Sequence, residues 1–322
     1  MTHRERFIRT LKCEKIGGQV PHFELVFFPT MEAFGKVNPR HRTYDQWGQM
    51  SLKEKQLHMN DIADVYIQTA KRYDYSAILV QGIPKNSLEN TQWLLETIRE
   101  KTGDEYYLML SNDPTWAIPN GDNMMDFAVQ MLEEPEKLNE ISQRKMEDQL
   151  QFAHKLDVRG HLLDGFALCS DYCFNVNPFF TPDQFDELIA PYLKGVIDGY
   201  REMGYYSIKH TDGNIMPILK QMADCKPDAI HSLDPQGGVN LREVRKIVGP
   251  DMALIGNVNC GLLQTGSEEE CDADVMRALR EGMADGRGYI FATSNCVYPG
   301  LDLERYERMW KLWKQYGVYP EE

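Results

Sequence analysis

Thr181-Pro182-Asp183-Gln184-Phe185 opens a run that ends at Gly204 and continues as Tyr205-Tyr206-Ser207-Ile208-Lys209-His210-Thr211-Asp212-Gly213-Asn214. Thr181 is an N-cap residue with proline at the first helical position behind it. Gly204 is a helix-ending glycine. Tyr205–Ile208 then reads as a short strand that runs straight into polar residues, and Asp212 or Asn214 can cap the next helix. A capped helix, a glycine stop, a buried strand and a polar strand end make one βα unit.

The same pattern recurs outward from this stretch. Eight strands are predicted: Val20–Val26, Ala77–Val80, Tyr106–Leu110, Leu162–Leu168, Tyr205–Ile208, Ala229–Leu233, Ala253–Ile255 and Tyr289–Ala292. Helical patterns lie between the later ones, at Thr181–Met203, Ile215–Cys225, Leu241–Val248 and Glu268–Ala284. Consecutive late strands are separated by roughly two dozen residues, the length of a compact βα repeat. Eight such repeats predict an α/β protein with a (β/α)8 TIM barrel. A doubly wound sheet is the rival, but Gly17-Gly18 precedes a strand and is not the phosphate-binding fingerprint that follows one. One barrel domain is expected over residues 1–322. Cap segments are expected as insertions near 27–71 and 114–155.

Composition narrows the partners. The 322 residues carry 35 Lys+Arg against 49 Asp+Glu, a formal net charge of −14, which disfavours phosphate backbones and hence nucleic acid. The 42 % apolar and 11 % aromatic content is that of a folded globular chain. No apolar run approaches the roughly 18 residues of a membrane span, and the charged start MTHRERFIRTLKCEK lacks a signal-peptide core. A cytoplasmic location is the expectation. The seven cysteines are odd in number and scattered, so they read as free thiols in a reducing compartment, one or two of them available as metal ligands. The oligomeric state is not legible, a homodimer being one option.

In such a barrel the chemistry sits at the C-terminal strand ends. Those ends carry Glu24, Gln81, Asn112-Asp113, Asp171, His210-Thr211-Asp212, Asp234, Asn257 to Cys260 and Ser294-Asn295-Cys296. His210 and Asp212, two residues apart past one strand, point the same way into the mouth. With Cys296 they form a three-ligand set that leaves one position open, as a catalytic zinc requires. The plainer reading has Asp212 capping a helix and His210 bonding a neighbouring loop. Asp234, Cys260 and Cys296 form a second possible set. Glu24, in an apolar strand, has the setting of a carboxyl held protonated for general acid work, or of a buried structural residue. Asp171 is the second catalytic candidate, to steer or protonate a group, or simply to cap. Trp116 and Tyr172 are candidates to stack on a flat substrate, and Asn257 is a third substrate contact. Cys169 and Cys173 read as buried small residues.

These motifs resemble the uroporphyrinogen decarboxylase superfamily. The resemblance rests on Arg4-Glu5-Arg6-Phe7 with Leu11-Lys12-Cys13-Glu14-Lys15 and Val20-Pro21, on Phe180-Thr181-Pro182-Asp183-Gln184-Phe185, on His210-Thr211-Asp212-Gly213-Asn214-Ile215, on Gly256-Asn257-Val258 and Gly288-Tyr289-Ile290, and on Tyr298-Pro299-Gly300 with Leu303-Glu304-Arg305-Tyr306. It implies either a porphyrinogen decarboxylase or a cobalamin-dependent methyltransferase. The decarboxylases carry an arginine-rich motif after strand one, whereas here no arginine lies from Gly17 to Pro39. The methyltransferases bind zinc through His-x-Cys after strand five and a Cys after strand eight; the matching positions are His210, Asp212 and Cys296. Asp212 replaces a soft ligand with a hard one, which suits polarising an ether oxygen better than activating a thiol. The resemblance therefore implies a zinc enzyme that moves a methyl group from a small methoxylated, aromatic donor to the cobalamin of a partner corrinoid protein. Alternatives are methyl transfer from methylcobalamin to a thiol or folate, a decarboxylase-like activity, and a non-catalytic corrinoid-binding protein.

Overall fold

The computed structural model describes residues 1–320. Seven parallel strands run in sequence order: β2 (Ala77–Val80), β3 (Tyr107–Ser111), β4 (Gly165–Cys169), β5 (Tyr206–Thr211), β6 (Ala229–Ser232), β7 (Ala253–Ile255) and β8 (Tyr289–Ile290). Two further short strands, β1 (Gly18–Gln19) and β9 (Val318–Tyr319), pair antiparallel with each other outside this sheet.

The eighth barrel position is filled by residues 20–28, which form no continuous strand. Pro21 has no N–H to give, so this segment joins its neighbours through single contacts. Phe291 N donates to Pro21 O (2.9 Å), Phe23 N to Phe291 O (3.3 Å), and Ser76 N to His22 O (2.7 Å). The strand expected at Val20–Val26 is thus present as the staple that closes β8 onto β2, not as a regular ladder.

Strand alternation separates two cores. Inward-facing Leu79, Tyr107, Met109, Ala167, Ile208, Ala229, Ile255 and Ile290 form the barrel interior, joined by Phe7 and Leu11 of the first helix (His3–Leu11). That helix lies across the N-terminal strand ends, where Arg4 pairs with the buried Asp164 at 2.6 Å. Outward-facing Ile78, Val80, Leu108, Phe166, Leu168, Ile230 and Leu254 pack beneath the outer helices. Lys209 also faces outward and is wholly buried. Its Nζ donates to Asp113 Oδ2 (2.7 Å), Ser170 O (3.0 Å) and Leu168 O (3.2 Å), tying three strand ends together.

Most helix signals hold. Thr181 makes a complete capping box with Gln184, and Gly204 follows the helix with a φ of +85°. The helix between them is broken at Ile189 into Pro182–Leu188 and Ala190–Glu202, because Pro191 withholds one N–H from the ladder. The 27–71 segment contains most of the long helix Leu52–Tyr73, and 114–155 contains Met124–Glu133 and most of Pro135–Asp157. Each segment thus has a mostly non-helical first part, about 27–51 and 114–123, followed by helix. Among the described residues, no helix is long and apolar enough to cross a membrane.

Candidate metal centre at the strand ends

Register brings the first two groups together. Cys169, His210 and His231 are neighbours across β4, β5 and β6 and project into the mouth from adjacent strands. The Nδ1 atoms of His210 and His231 are 2.7 Å apart. Burial holds His210 down at about 4 and His231 well below the ordinary histidine value, so both rings are neutral. One Nδ1 therefore carries the proton and the other accepts it. His231 Nε2 is buried with no partner.

Asp212 caps no helix. Asn214 Oδ1 accepts from Met216 N at 3.2 Å ahead of the 3-10 turn Met216–Ile218, whose own cap residue Ile215 makes no side-chain bond. The Asp212 carboxylate turns inward instead. Ser232 Oγ donates to Oδ1 at 2.7 Å, and Asn295 Nδ2 donates to Oδ2. Ser232 and the following Leu233 both sit at positive φ, +85° and +53°. Strain of that kind at two non-glycine residues is what a functional site can store. The turn after β5 is held equally tightly: a Cβ on Gly213 would stand 2.4 Å from Phe174 O.

The third member comes from the β4 end. Asp171 Oδ1 accepts the Asp212 N–H at 3.1 Å, and its own carbonyl accepts Ile118 N at 2.8 Å. Ligand atoms of Asp171, His210 and Asp212 all lie within 4.8 Å of one another. His210 Nε2 is 3.8 Å from Asp212 Oδ1. Burial, and then the charge of Asp171, push the Asp212 carboxyl up to about 7. Two carboxylates and a neutral imidazole, crowded and partly desolvated, are a donor set that a divalent cation relieves. The residues present fit such an ion.

Cys296 lies outside this group. The β8 turn is pinned on both sides of it, by Cys296 N to Asn295 Oδ1 (2.6 Å) and by Val297 N to Val26 O (2.9 Å). Burial, together with nearby Asp212, pushes its thiol up to about 12 and keeps it protonated. The alternative set of Asp234, Cys260 and Cys296 does not converge either; Asp234 Oδ1 is spent on Gln236 N at 3.0 Å, at the start of a short 3-10 turn.

Glu24 is buried behind the site. Burial raises its carboxyl to about 8. Thr293 N lies 3.1 Å from Glu24 Oε2, and Thr293 Oγ1 bonds both that carboxyl and Asn295 O (2.6 Å). A protonated Glu24 satisfies this arrangement: its O–H donates to Thr293 Oγ1, whose own hydrogen goes to Asn295 O. Glu24 thus reaches the metal group only through the loop that carries Asn295.

The aromatic and amide candidates are placed differently from expectation. Tyr172 is wholly buried, its hydroxyl 2.6 Å from Thr115 Oγ1 and its ring faced by Lys209 Nζ at 4.1 Å and Phe185. No ring face is left for a substrate. Asn257 is also fully buried; its Nδ2 donates to Leu233 O (2.7 Å) and its Oδ1 accepts from Arg277 Nη1 (3.0 Å). Both ends of that amide are spent on bracing β7. Trp116 is half-buried, with Lys145 Nζ 3.8 Å from its ring centroid and Phe127 at 5.1 Å. His231 and Ser232 also support the site and were not singled out in the sequence, while Asn295 was named only as part of a strand end. For His231 a signal existed: it occupies in the strand Ala229–Leu233 the position that His210 occupies in its own.

Comparison with known proteins finds a family model over part of the chain, one curated relative and solved structures of the same fold. The model of the family described as uroporphyrinogen decarboxylase (URO-D) matches residues 170–316. A uroporphyrinogen decarboxylase of Thioalkalivibrio sulfidiphilus is 27 % identical over 135 residues, which are 39 % of this chain and 35 % of that protein, so the match spans about a third of the curated relative. Among solved structures, a methyltransferase from Methanosarcina mazei superposes with a TM-score of 0.73 at 16 % identity, over 98 % of this chain and 99 % of that one. A Listeria monocytogenes chain, a candidate vitamin-B12 independent methionine synthase, superposes with a TM-score of 0.50 at 11 % identity, over 94 % and 95 % of the two chains.

Proposed function

We propose that this uroporphyrinogen decarboxylase-like chain is a methyltransferase that moves a methyl group from a small methoxylated, aromatic donor to the cobalt of a corrinoid protein. The observation that carries the reading is the convergence of Asp171, His210 and Asp212 at the strand ends. Support also comes from the Methanosarcina protein of matching shape, described as a methyltransferase.

The reaction needs little covalent help from the protein. Cobalt(I) of the partner attacks the methyl carbon; the new bond is Co–C, the broken bond is C–O, and the electron pair of the latter leaves with oxygen, which then takes a proton. The protein's tasks are alignment and stabilisation of that oxygen. His210, Asp212 and Asp171 would hold the metal, with zinc as the proposed ion and Cys296 as a reserve ligand. A metal there supplies positive charge beside the leaving oxygen. His231 orients the His210 ring, Ser232 and Asn295 aim the Asp212 carboxylate, and Glu24 fixes the Asn295 loop through Thr293. Asp171, the most exposed of the three, faces the donor and positions it.

The test is single-turnover methyl transfer to cobalt(I) cobalamin from a panel of methoxylated arenes, with metal content measured on the same sample. Stoichiometric metal, transfer from at least one arene, and loss of both on His210→Ala are the expected results. Transfer from methylcobalamin to a thiol or folate, with none from any arene, overturns the direction of the reaction.

A further inference from the structure

The helix Met124–Glu133 has two apolar faces where one is enough to pack it. Its inner face is anchored by buried Phe127, whose ring centroid lies 5.1 Å from that of Trp116 and 6.3 Å from that of Phe179. Its outer face carries Met125, Val129 and Leu132, at i, i+4 and i+7, and they are 75 %, 46 % and 77 % exposed. A second exposed apolar group stands on the turn after β4, where Phe174 and Val176 are 43 % and 72 % exposed. Phe179 links the two, its ring centroid also 6.1 Å from that of Phe174. Exposed apolar side chains gathered on one lobe mark a surface that another protein covers.

Both groups belong to the rim of the mouth. The helix follows the loop after β3, in which Ile118 N donates to Asp171 O. The 174–176 tip grips the turn behind Asp212: Asn214 N donates to Phe174 O at 3.0 Å, and Asn214 Nδ2 to Val176 O at 2.9 Å. A protein resting on this tip rests on the turn that carries Asp212.

The charge around the two groups selects the occupant. Residues 114–140 hold six acids, Asp122, Asp126, Glu133, Glu134, Glu136 and Glu140, and all are exposed. Lys137 is the one lysine or arginine of that stretch, and it is paired with Glu134 at 2.8 Å. Around the tip, no lysine or arginine stands between Arg159 and Lys194, while Asp183, Asp186 and Glu187 are exposed. A second copy meeting this face about a two-fold axis would set acid against acid. A protein with an apolar patch ringed by lysine and arginine is matched in both respects.

We infer that the corrinoid partner docks on the outer face of Met124–Glu133 and on the 174–176 tip, through an apolar patch with a basic rim. The inference rests on the methyltransferase reading above and adds to it where the partner sits and which charge it brings. The acids steer the encounter, and the apolar side chains hold the complex. The footprint lies on the β3–β4 side of the mouth, so the partner reaches over Asp171 and Asp212 from that side.

Biolayer interferometry against a panel of purified, cobalamin-loaded corrinoid proteins with acidic and with basic surfaces tests it, alongside methyl transfer from the methoxylated arenes to each of them and to free cobalt(I) cobalamin. At least one basic member is expected to bind, and its binding should weaken as salt rises from about 0.05 to 0.3 M. Met125→Glu with Leu132→Glu should weaken it at least about tenfold, and so should Asp126→Lys with Glu133→Lys. In turnover these losses should fall on KM for the corrinoid protein, with transfer to free cobalamin unchanged. All four side chains are exposed, and equal thermal midpoints exclude a folding defect. Binding that neither double variant weakens, binding by acidic members alone, or no binding by any member overturns the inference. So does a wild-type dimer that Met125→Glu with Leu132→Glu converts to monomer, since a second copy then covers the face. Variant-sensitive binding with no methyl transfer from any arene, to the bound protein or to free cobalamin, instead overturns the methyltransferase reading and leaves the docking surface standing.

Discussion

His210 and His231 meet through their Nδ1 atoms at 2.7 Å, and only one of the two nitrogens holds a proton. For His210 Nε2 to offer its lone pair to a metal, the proton must sit on His210 Nδ1 and His231 must accept it. The second histidine therefore selects the tautomer of the first.

Replacing His231 with Phe removes that acceptor while keeping the volume of a ring. The expected loss in zinc affinity is about ten- to a hundredfold, measured by competition with a chromophoric chelator, and the absorption bands of a cobalt(II)-loaded sample should shift. An affinity within twofold of wild type would show that His210 is oriented by its strand alone.

Asp212→Asn should move stability in opposite directions with and without metal. Without metal it removes one of two crowded carboxylates, Asp171 and Asp212. A gain of about 1 kcal/mol corresponds to a rise of roughly 1–2 °C in thermal midpoint for a chain of this size. With zinc present, the stabilisation that metal confers on wild type should be lost. A midpoint that falls in both conditions contradicts the crowding argument.

Glu24 predicts a pH signature. Its folded carboxyl titrates near 8, above the ordinary carboxyl value, because burial disfavours the charged form. The folded state thus holds the proton more tightly than the unfolded one. The sign follows: this contribution is fully present below about 4.5, declines as pH rises, and has been lost once pH passes 8. Compared with Glu24→Gln, wild type should lose up to about 1.4 kcal/mol per pH unit across that window. Parallel denaturant midpoints for the two proteins from pH 5 to 8 would refute it.

Lys209 and Asp113 form a wholly buried pair beneath the outer helices. Lys209→Met strands the Asp113 carboxylate and should cost about 3–5 kcal/mol in urea unfolding. Lys209→Met with Asp113→Asn should recover a substantial part of that loss, because the stranded charge is gone. Additive losses in the double variant would assign the stability to the bonds Lys209 makes with Leu168 and Ser170.

The barrel was legible wherever local rules decide structure. Thr181 with Gln184 and the glycine stop at Gly204 mark a helix without reference to the rest of the chain. The first strand was misjudged as regular because its apolar run outweighed Pro21, whose missing donor only matters once neighbours are known. Of the metal group, His210 and Asp212 could be paired because they share one strand end. Asp171 was recognised as a strand-end acid but not as their companion, and Cys296 was preferred to it. That choice depends on how two turns pack, with Asp171 accepting the Asp212 N–H, which no spacing encodes. His231 was hidden in an apolar strand, since only inter-strand register sets it against His210.

The first helix, with Phe7 and Leu11 driven into the N-terminal end of the barrel, has a kinetic consequence. Among the described residues it closes the N-terminal end of the barrel and leaves the strand-end mouth open. If a corrinoid protein must bring its cobalt to that mouth, it covers the door through which the donor enters and the demethylated product leaves. Loading has to precede docking, and unloading has to wait for undocking. Turnover is then compulsorily ordered, and an excess of the partner slows the enzyme by closing it while empty.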